Sequence, residues 1–161
     1  MNLIQRYDYL TGKTRPLASI PYLVARLSIG ALFMITGHGK LTHLEKVTAY
    51  FTDLGIPFPE FNAPFVAFCE FTCGALVFVG AFTEIVSVPL IVIMIVAIVS
   101  ARLKDVHSFN DLVGLQEFLM GLFLLLFFLA GAGRFSVDEM RRNGTFRSRR
   151  FSSAGRKLIY E

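Results

Sequence analysis

Apolar residues in this chain are gathered into four long runs, which are separated by more polar connections. The runs cover about residues 20–37, 64–82, 86–101 and 115–132. A helix needs about 20 mostly apolar residues to cross a bilayer core of about 30 Å. The pattern therefore predicts an all-α membrane protein, a bundle of four transmembrane helices.

The connections between the runs predict where the helices begin and end. Pro64 opens the second run, in a position that suits the start of a helix. Thr83 and Glu84, followed by Pro89, divide the second run from the third, which predicts a tight turn near Glu84 and two antiparallel spans. The longer connection after the first run contains a stretch, 44–51, that predicts a short helix at the membrane surface.

Composition supports a lipid environment for this bundle. Hydrophobic residues make up 54% of the chain and charged residues 17%. Soluble domains carry about 25% charged residues. The deficit indicates that much of the surface faces lipid rather than water.

The distribution of basic residues predicts the orientation of the bundle. The two terminal flanks hold three and eight Lys or Arg residues, whereas the first and third connections hold two each. Because cytoplasmic flanks carry the excess of positive charge, both termini are expected in the cytoplasm. The predicted domains are an N-terminal segment over 1–19, a membrane bundle over 20–132 and a basic cytoplasmic tail over 133–161.

The basic tail bears on the choice of partners. It holds eight Lys or Arg residues against three acids. Such a tail suits an anionic membrane surface. Nucleic acid also binds basic segments, but a polybasic tail beside a membrane span needs no such partner, so no nucleic-acid binding is expected.

Three ionisable residues, Arg26, Glu70 and Glu117, lie within the predicted spans. Charged groups there are costly and usually functional. Helical side chains lean toward the N-terminus of their own helix, so both glutamates lean toward the exported face. Lys40, at the end of the first span, leans back into the membrane toward them. This predicts a cluster of Glu70, Glu117 and Lys40 in the outer third of the bundle.

The chemistry of this cluster has two interpretations. In the first, Glu70, Glu117 and Lys40 are catalytic groups that handle protons or hydrogen-bond a ligand, and Arg26, His38 and Gln116 help to bind a cofactor. Arg26 would reach the cluster only through helix offset, tilt or an intervening water. In the second, acid–base pairs tie the helices together and Arg26 snorkels to the inner interface.

The remaining reactive residues point to little further chemistry. Cys69 and Cys73 share one helix face, where small apolar fillers are favoured over a redox dithiol, since an intrahelical disulfide would be strained. The three histidines lie at or outside the exported membrane edge, where they could not face each other across a haem. No zinc spacing or Gly-rich phosphate loop is present. We therefore expect no metal, haem or flavin site.

An ordered set of these features resembles the DoxX family of small bacterial membrane proteins. The resemblance covers about residues 22–138. It is carried by Arg26, Gly30, Phe33, Gly37 and Lys40 in the first span, by Gly55-Ile56-Pro57, by Glu70, Gly74, Leu76 and Gly80, by Glu117, and by the Gly-x-Gly-x-x-Ser-x-Asp ending from Gly131 to Asp138.

The resemblance implies a four-span bundle in the bacterial inner membrane with a role in quinone-linked redox reactions. The expected function is a quinone-linked oxidoreductase subunit, with quinone as the cofactor and a partner protein in a redox complex. One alternative is a non-catalytic anchor or scaffold of a redox or detoxification complex. Another is a small proton-coupled carrier, which four short spans would form only as a homo-oligomer.

Overall fold

The computed structural model describes residues 19–103 and 106–142, and all regular structure within them is helical. The all-α prediction is therefore confirmed for this part of the chain. The segment 1–18 and the greater part of the predicted basic tail lie outside the described residues. The helices are α1 (Ser19–Thr42), α2 (Leu44–Asp53), α3 (Pro59–Val79), α4 (Thr83–Ala97), α5 (Phe109–Gly114) and α6 (Gln116–Ala130), and a π-helix (Ile98–Arg102) continues α4.

Three helical stretches are long and apolar enough to cross a membrane. They are Ser19–Thr42, Pro59–Val79 and Thr83–Arg102. The fourth apolar helix, α6, has 15 residues and so rises about 22 Å, less than the bilayer core of about 30 Å. The membrane character of the chain is supported, whereas the count of four spans and the cytoplasmic position of the termini stay predictions.

The start of α3 differs from the sequence prediction. Pro59 is the first residue of the helix and Pro64 lies inside it. Proline is tolerated at a first helical position because the N–H it lacks would have no partner within the helix. The helix therefore starts five residues earlier than predicted, and Glu70 lies correspondingly deeper within it.

The turn between α3 and α4 also differs from the prediction, because it is formed at Gly80 rather than near Glu84. Gly80 has a φ of 73°, and the amide of Ala81 donates a hydrogen bond of 2.9 Å to the carbonyl oxygen of Leu76. This pattern is a glycine helix stop, which uses the left-handed backbone that glycine adopts freely. Glu84 lies in the first turn of α4.

The bundle is built from two closely packed helix pairs, α1 with α3 and α4 with α6, joined through α3 and α4. Glycines allow α1 and α3 to approach closely. A Cβ atom added at Gly37 would lie 2.5 Å from the backbone nitrogen of Phe71, and one at Gly74 would lie 2.7 Å from the Cβ of Phe33. Small residues at such crossings are the usual means of packing helices in membranes.

Apolar side chains cover the outside of the bundle as well as its core. Many large ones are exposed, including Phe58 at 79%, Leu129 at 74% and Ile35 at 69%. Water-soluble monomers rarely expose extended apolar patches. This exterior fits contact with lipid. The large apolar side chains that are fully buried in the core of the described residues are Phe33, Val77, Leu90, Leu124 and Phe127.

Candidate functional site

A cavity of about 780 Å³ opens at the end of the bundle where α1 finishes. Its walls come from α1, α2, α3, α4, the π-helix and α6, and most of the lining side chains are apolar. Pockets for small molecules measure about 300–1,000 Å³ and combine apolar walls with a few polar groups. The cavity therefore has the size and character of a small-molecule site.

An ion pair between Lys40 and Glu70 forms the buried polar side of this cavity. The Nζ of Lys40 lies 2.5 Å from the Oε1 of Glu70, and the two side chains are 32% and 1% exposed. The attraction of the ammonium offsets part of the cost of burying a carboxylate. The second carboxylate oxygen, Oε2 of Glu70, is buried and has no hydrogen-bond partner among the described residues.

A second, more exposed ion pair lies elsewhere in the cavity lining. The Nε of Arg102 lies 3.4 Å from the Oε1 of Glu117, with side chains 50% and 24% exposed. Gln116 also lines the cavity, and its Nε2 lies 3.8 Å from the sulfur of Met120. Both side chains of the Arg102–Glu117 pair are partly exposed, whereas the side chain of Glu70 is 1% exposed.

The π-helix brings Ser100 and Arg102 into the lining of the cavity. Such segments insert an extra residue in a helical turn and are frequent at functional sites. The wider turn changes the direction in which the side chains after Ala97 project. The position of Arg102 opposite Glu117 therefore depends on this local change of helix type.

The short helix α2 forms an outer wall of the cavity. Lys46, Val47, Tyr50 and Phe51 from this helix all line it, and Phe51 is buried. A helix in this region was predicted from the sequence, as an element at the membrane surface. The structure gives it a further role, which is to enclose the space above the Lys40–Glu70 pair.

Four of the six predicted site residues line the cavity, namely Lys40, Glu70, Gln116 and Glu117. Glu70 and Glu117 thus share one cavity, although each carboxylate has its own basic partner. His38 is not among the lining residues. Its side chain is exposed, with its ring centroid 6.4 Å from that of Phe71. The chemical roles of the four lining residues stay predictions.

Arg26 does not join the cluster, and it does not snorkel into solvent. It lies about 21 Å from Lys40 along α1, at a rise of about 1.5 Å per residue. The residue is 3% exposed. Its guanidinium donates hydrogen bonds to the carbonyl oxygens of Ala132 and, at 2.6 Å, of Phe135. These carbonyls follow the end of α6, where a cation is favoured. The contacts of Arg26 therefore have a structural explanation, and a cofactor-binding role for it stays a prediction.

The Gly-x-Gly-x-x-Ser-x-Asp ending forms a junction at this same end of the bundle. The carboxylate of Asp138 accepts hydrogen bonds from the amides of Phe82, at 2.9 Å, and Thr83, at 3.1 Å. The amide of Asp138 donates to the carbonyl oxygen of Gly80 at 3.0 Å. The amides at the start of α4 thereby gain an acidic cap. The motif has a structural explanation and does not reach the cavity.

The two cysteines lie apart from the cavity lining. The sulfurs of Cys69 and Cys73 are 3.8 Å apart and both thiols are free. A disulfide bond has a sulfur–sulfur distance of about 2.05 Å. The arrangement agrees with the interpretation of the cysteines as small packing residues.

The sequence reasoning missed the contributions of Arg102, Lys46 and Tyr50 to the cavity. In the sequence, Arg102 contributes only to the count of basic residues in the connections that predicts the orientation of the bundle. A basic residue at the end of the third span, with Glu117 at the start of the fourth, was a usable signal. The connection between these spans is short, so both residues must lie at the same end of the bundle.

Comparisons with known proteins agree with the resemblance found in the sequence. A family model described as DoxX matches residues 22–103. The "Uncharacterized membrane protein Rv3486" of Mycobacterium tuberculosis is 31% identical over 71% of this chain and 77% of its own length. The "Inner membrane protein YphA" of Escherichia coli is 28% identical over 86% of this chain and 99% of its own length.

A third relative carries a name that refers to an activity. The "Putative oxidoreductase CatD" of Bacillus subtilis is 34% identical over 51% of this chain and 60% of its own length. No solved structure matches the chain. The matched residues of the family model include Lys40 and Glu70, whereas Glu117 lies beyond them.

Proposed function

This chain belongs to the DoxX family of membrane proteins, and on that premise we propose that it is a quinone-binding subunit of a redox system in the bacterial inner membrane. It crosses the membrane four times with both termini in the cytoplasm, and a partner protein supplies or accepts the electrons. The observation that carries the proposal is the apolar cavity with the buried Lys40–Glu70 pair.

The chemistry of a quinone matches the lining of this cavity. A quinone head group is a flat apolar ring with a polar oxygen at either end. The apolar walls, which include Phe33, Met94 and Met120, suit the ring. Lys40 and Gln116 supply N–H donors, and Glu70 and Glu117 supply acceptors. An oxygen at one end of the ring would meet Lys40 and Glu70, and the opposite oxygen would face the more exposed polar residues.

The positions of the two ion pairs support a division of roles. Glu70 is almost fully buried and touches the inner end of the ligand, where it handles the proton of a ligand oxygen. Glu117 is partly exposed, so its carboxylate exchanges protons with water, whereas Arg102 keeps its charge and holds that carboxylate in place. The name of the Bacillus subtilis relative refers to an oxidoreductase, which supports a redox role over a purely structural one.

Filling the cavity should abolish ligand binding. We expect saturable binding of a short-chain benzoquinone or naphthoquinone to the purified protein in lipid nanodiscs, measured with radiolabelled ligand against empty nanodiscs. Met120→Trp places a large ring in the cavity and should weaken binding at least about tenfold, because the ligand and the ring compete for the same volume. Leu122→Trp, on the exposed side of the same helix, is the matched control and should bind normally.

The outcome separates a binding subunit from an anchor. Circular dichroism checks that Met120→Trp and wild type are both folded. If the two folded proteins bind the quinone with equal affinity, the cavity is not the binding site. If wild type binds neither the benzoquinone nor the naphthoquinone, and neither of their reduced forms, the proposed function is contradicted and the non-catalytic anchor is favoured.

A further inference from the structure

We infer that the cavity opens sideways into the lipid bilayer between α3 and α4, and that its ligand is an amphiphile whose hydrocarbon chain leaves through this opening. The inference rests on the proposed function and adds the route by which the ligand enters. It starts from three side chains that belong both to the cavity and to the exterior of the bundle. Phe65, Val92 and Val96 line the cavity and are 57%, 52% and 46% exposed.

The outer face of α4 carries two of these side chains, Val92 and Val96. The exposed apolar residues of α4 and the π-helix recur at helical spacing and are Ile85, Val88, Val92, Ile95, Val96 and Val99. Met94 lies on the other edge of α4, where it is buried, and a Cβ atom added at Gly121 of α6 would lie 3.9 Å from its Cβ. The edge with Val92 and Val96 is therefore turned away from α6.

Phe65 is the counterpart of these residues on α3. The two helices run in opposite directions from the turn at Gly80, so residues equally far from Gly80 along the chain lie at the same level. At a rise of about 1.5 Å per residue, Phe65 lies about 22 Å and Val96 about 24 Å from Gly80. Phe65 also lies about 9 Å from the start of α3 at Pro59. The opening is therefore at the depth of the apolar bilayer core.

The rim of the opening is apolar, whereas the ion pairs of the cavity lie on other parts of its lining. The lining residues that follow the rim inward, Val66 and Ile93, are apolar as well. A hydrocarbon chain that leaves through this rim stays in apolar surroundings. A chain that leaves past Lys46, an exposed lining residue of α2, would enter water, which is unfavourable for every methylene group. The chemistry of the lining therefore directs a polar head inward and a chain into the bilayer.

Narrowing the opening should affect a long-chain ligand and spare a chainless one. Dissociation constants are measured in nanodiscs for a benzoquinone with a methyl group and for the same ring with a hexadecyl chain, each corrected for partitioning into empty nanodiscs. Val96→Trp should weaken the hexadecyl probe at least about tenfold and leave the methyl probe unchanged, because only the chain passes the rim. Ile95→Trp changes a neighbouring exposed residue outside the cavity lining and should bind both probes normally.

Tryptophan fluorescence locates the chain directly, because the protein has no tryptophan of its own. Phe65→Trp places a single indole ring at the rim with little change in shape. A probe with bromine atoms in its hexadecyl chain should quench this fluorescence saturably, and more strongly than the same probe without bromine, because bromine quenches tryptophan at contact. Phe68→Trp, on the exposed side of α3 outside the cavity lining, should show only the unsaturable quenching of a probe dissolved in lipid.

The possible results separate the inference from the proposed function. If neither probe binds wild type, the proposed function fails and the inference fails with it. If both probes bind but Val96→Trp weakens both equally or neither, the lateral opening is refuted and the cavity stands as the binding site. A loss of the hexadecyl probe in Lys46→Trp instead would place the chain toward water and also refute the inference. Equal quenching of Phe65→Trp and Phe68→Trp would mean that lipid chains, rather than the ligand, occupy the opening. The fluorescence comparison decides the matter even if Val96→Trp does not fold.

Discussion

Arg26 and Lys40 are both basic residues on α1, but they make different contacts. Arg26 is buried and donates hydrogen bonds to carbonyl oxygens of residues that follow α6. Lys40 lies at the other end of the helix and pairs with Glu70. A buried charge needs a partner of opposite charge or several acceptors. The residue type therefore indicates that a buried basic side chain has a partner, whereas its position along the helix determines which residue that partner is.

Removing Lys40 should destabilise the protein strongly. In Lys40→Met the carboxylate of Glu70 would stay buried without its cation, which costs about 3 kcal/mol. The melting temperature in nanodiscs should fall well below that of wild type. The exposed cavity residue Lys46 gives the control, since Lys46→Met removes a positive charge from the same cavity but should change the melting temperature little.

A double variant separates the structural role of the Lys40–Glu70 pair from its proposed role in ligand binding. Lys40→Met combined with Glu70→Met removes both charges and fills a similar volume, so most of the lost thermal stability should return. The same protein should bind the benzoquinone more weakly than wild type, because it lacks the polar groups proposed to meet the ligand oxygen. A double variant as unstable as Lys40→Met would mean that repacking, rather than an unpaired charge, causes the loss.

At the scale of elements, glycine positions determine how closely α1 and α3 approach. Gly30, Gly37 and Gly74 lie against backbone or Cβ atoms of the facing helix at distances that exclude a side chain. This close approach positions the end of α1 next to α3, where Lys40 reaches Glu70. The sequence shows the glycines but not their facing partners, since the same residues would also fit a lipid-facing surface.

Gly37→Ala should force α1 and α3 apart. Its Cβ would lie 2.5 Å from the backbone nitrogen of Phe71, and backbone cannot move aside as a side chain can. We expect a loss of about 1–3 kcal/mol, seen as a lower melting temperature, together with weaker ligand binding. Gly39→Ala lies on the same helix with no atom within 4 Å of its new Cβ, so it should be neutral. Similar melting temperatures for the two variants would contradict close packing at this crossing.

At the scale of the whole molecule, the two ends of the bundle have distinct structures. One end holds the cavity and its ion pairs, whereas the other holds the junction of Arg26, Asp138 and the turn at Gly80. Three helical stretches are long enough to span a bilayer. The shorter α6 packs against α4, which belongs to one of these three stretches.

Reporter fusions should show whether α6 crosses the membrane. With cytoplasmic termini and four spans, a reporter fused after Arg142 should stay in the cytoplasm, and one fused after Leu103, beyond three spans, should be exported. Alkaline phosphatase, which is active only when exported, and green fluorescent protein, which fluoresces only in the cytoplasm, give opposite readouts at each position. Export at both positions would show that α6 does not cross.

The amino-acid sequence by itself predicted the all-helical membrane fold, the family resemblance and four of the residues that line the cavity. These features depend on local patterns, namely apolar runs of a given length, charges within them and the lean of helical side chains. The start of α3 and the turn at Gly80 were misplaced because proline and acidic residues permit several boundaries, and packing between neighbouring helices selects one.

Only the tertiary structure determined which charges meet and which stay free. It showed that Arg102 pairs with Glu117, that α2 encloses the cavity, that Arg26 belongs to the opposite end and that His38 faces outward. It also showed that one oxygen of Glu70 lacks a partner among the described residues. These facts depend on distances between atoms that are far apart in the chain. Helix crossings and a single π-helical turn determine those distances, and a local sequence pattern does not contain them.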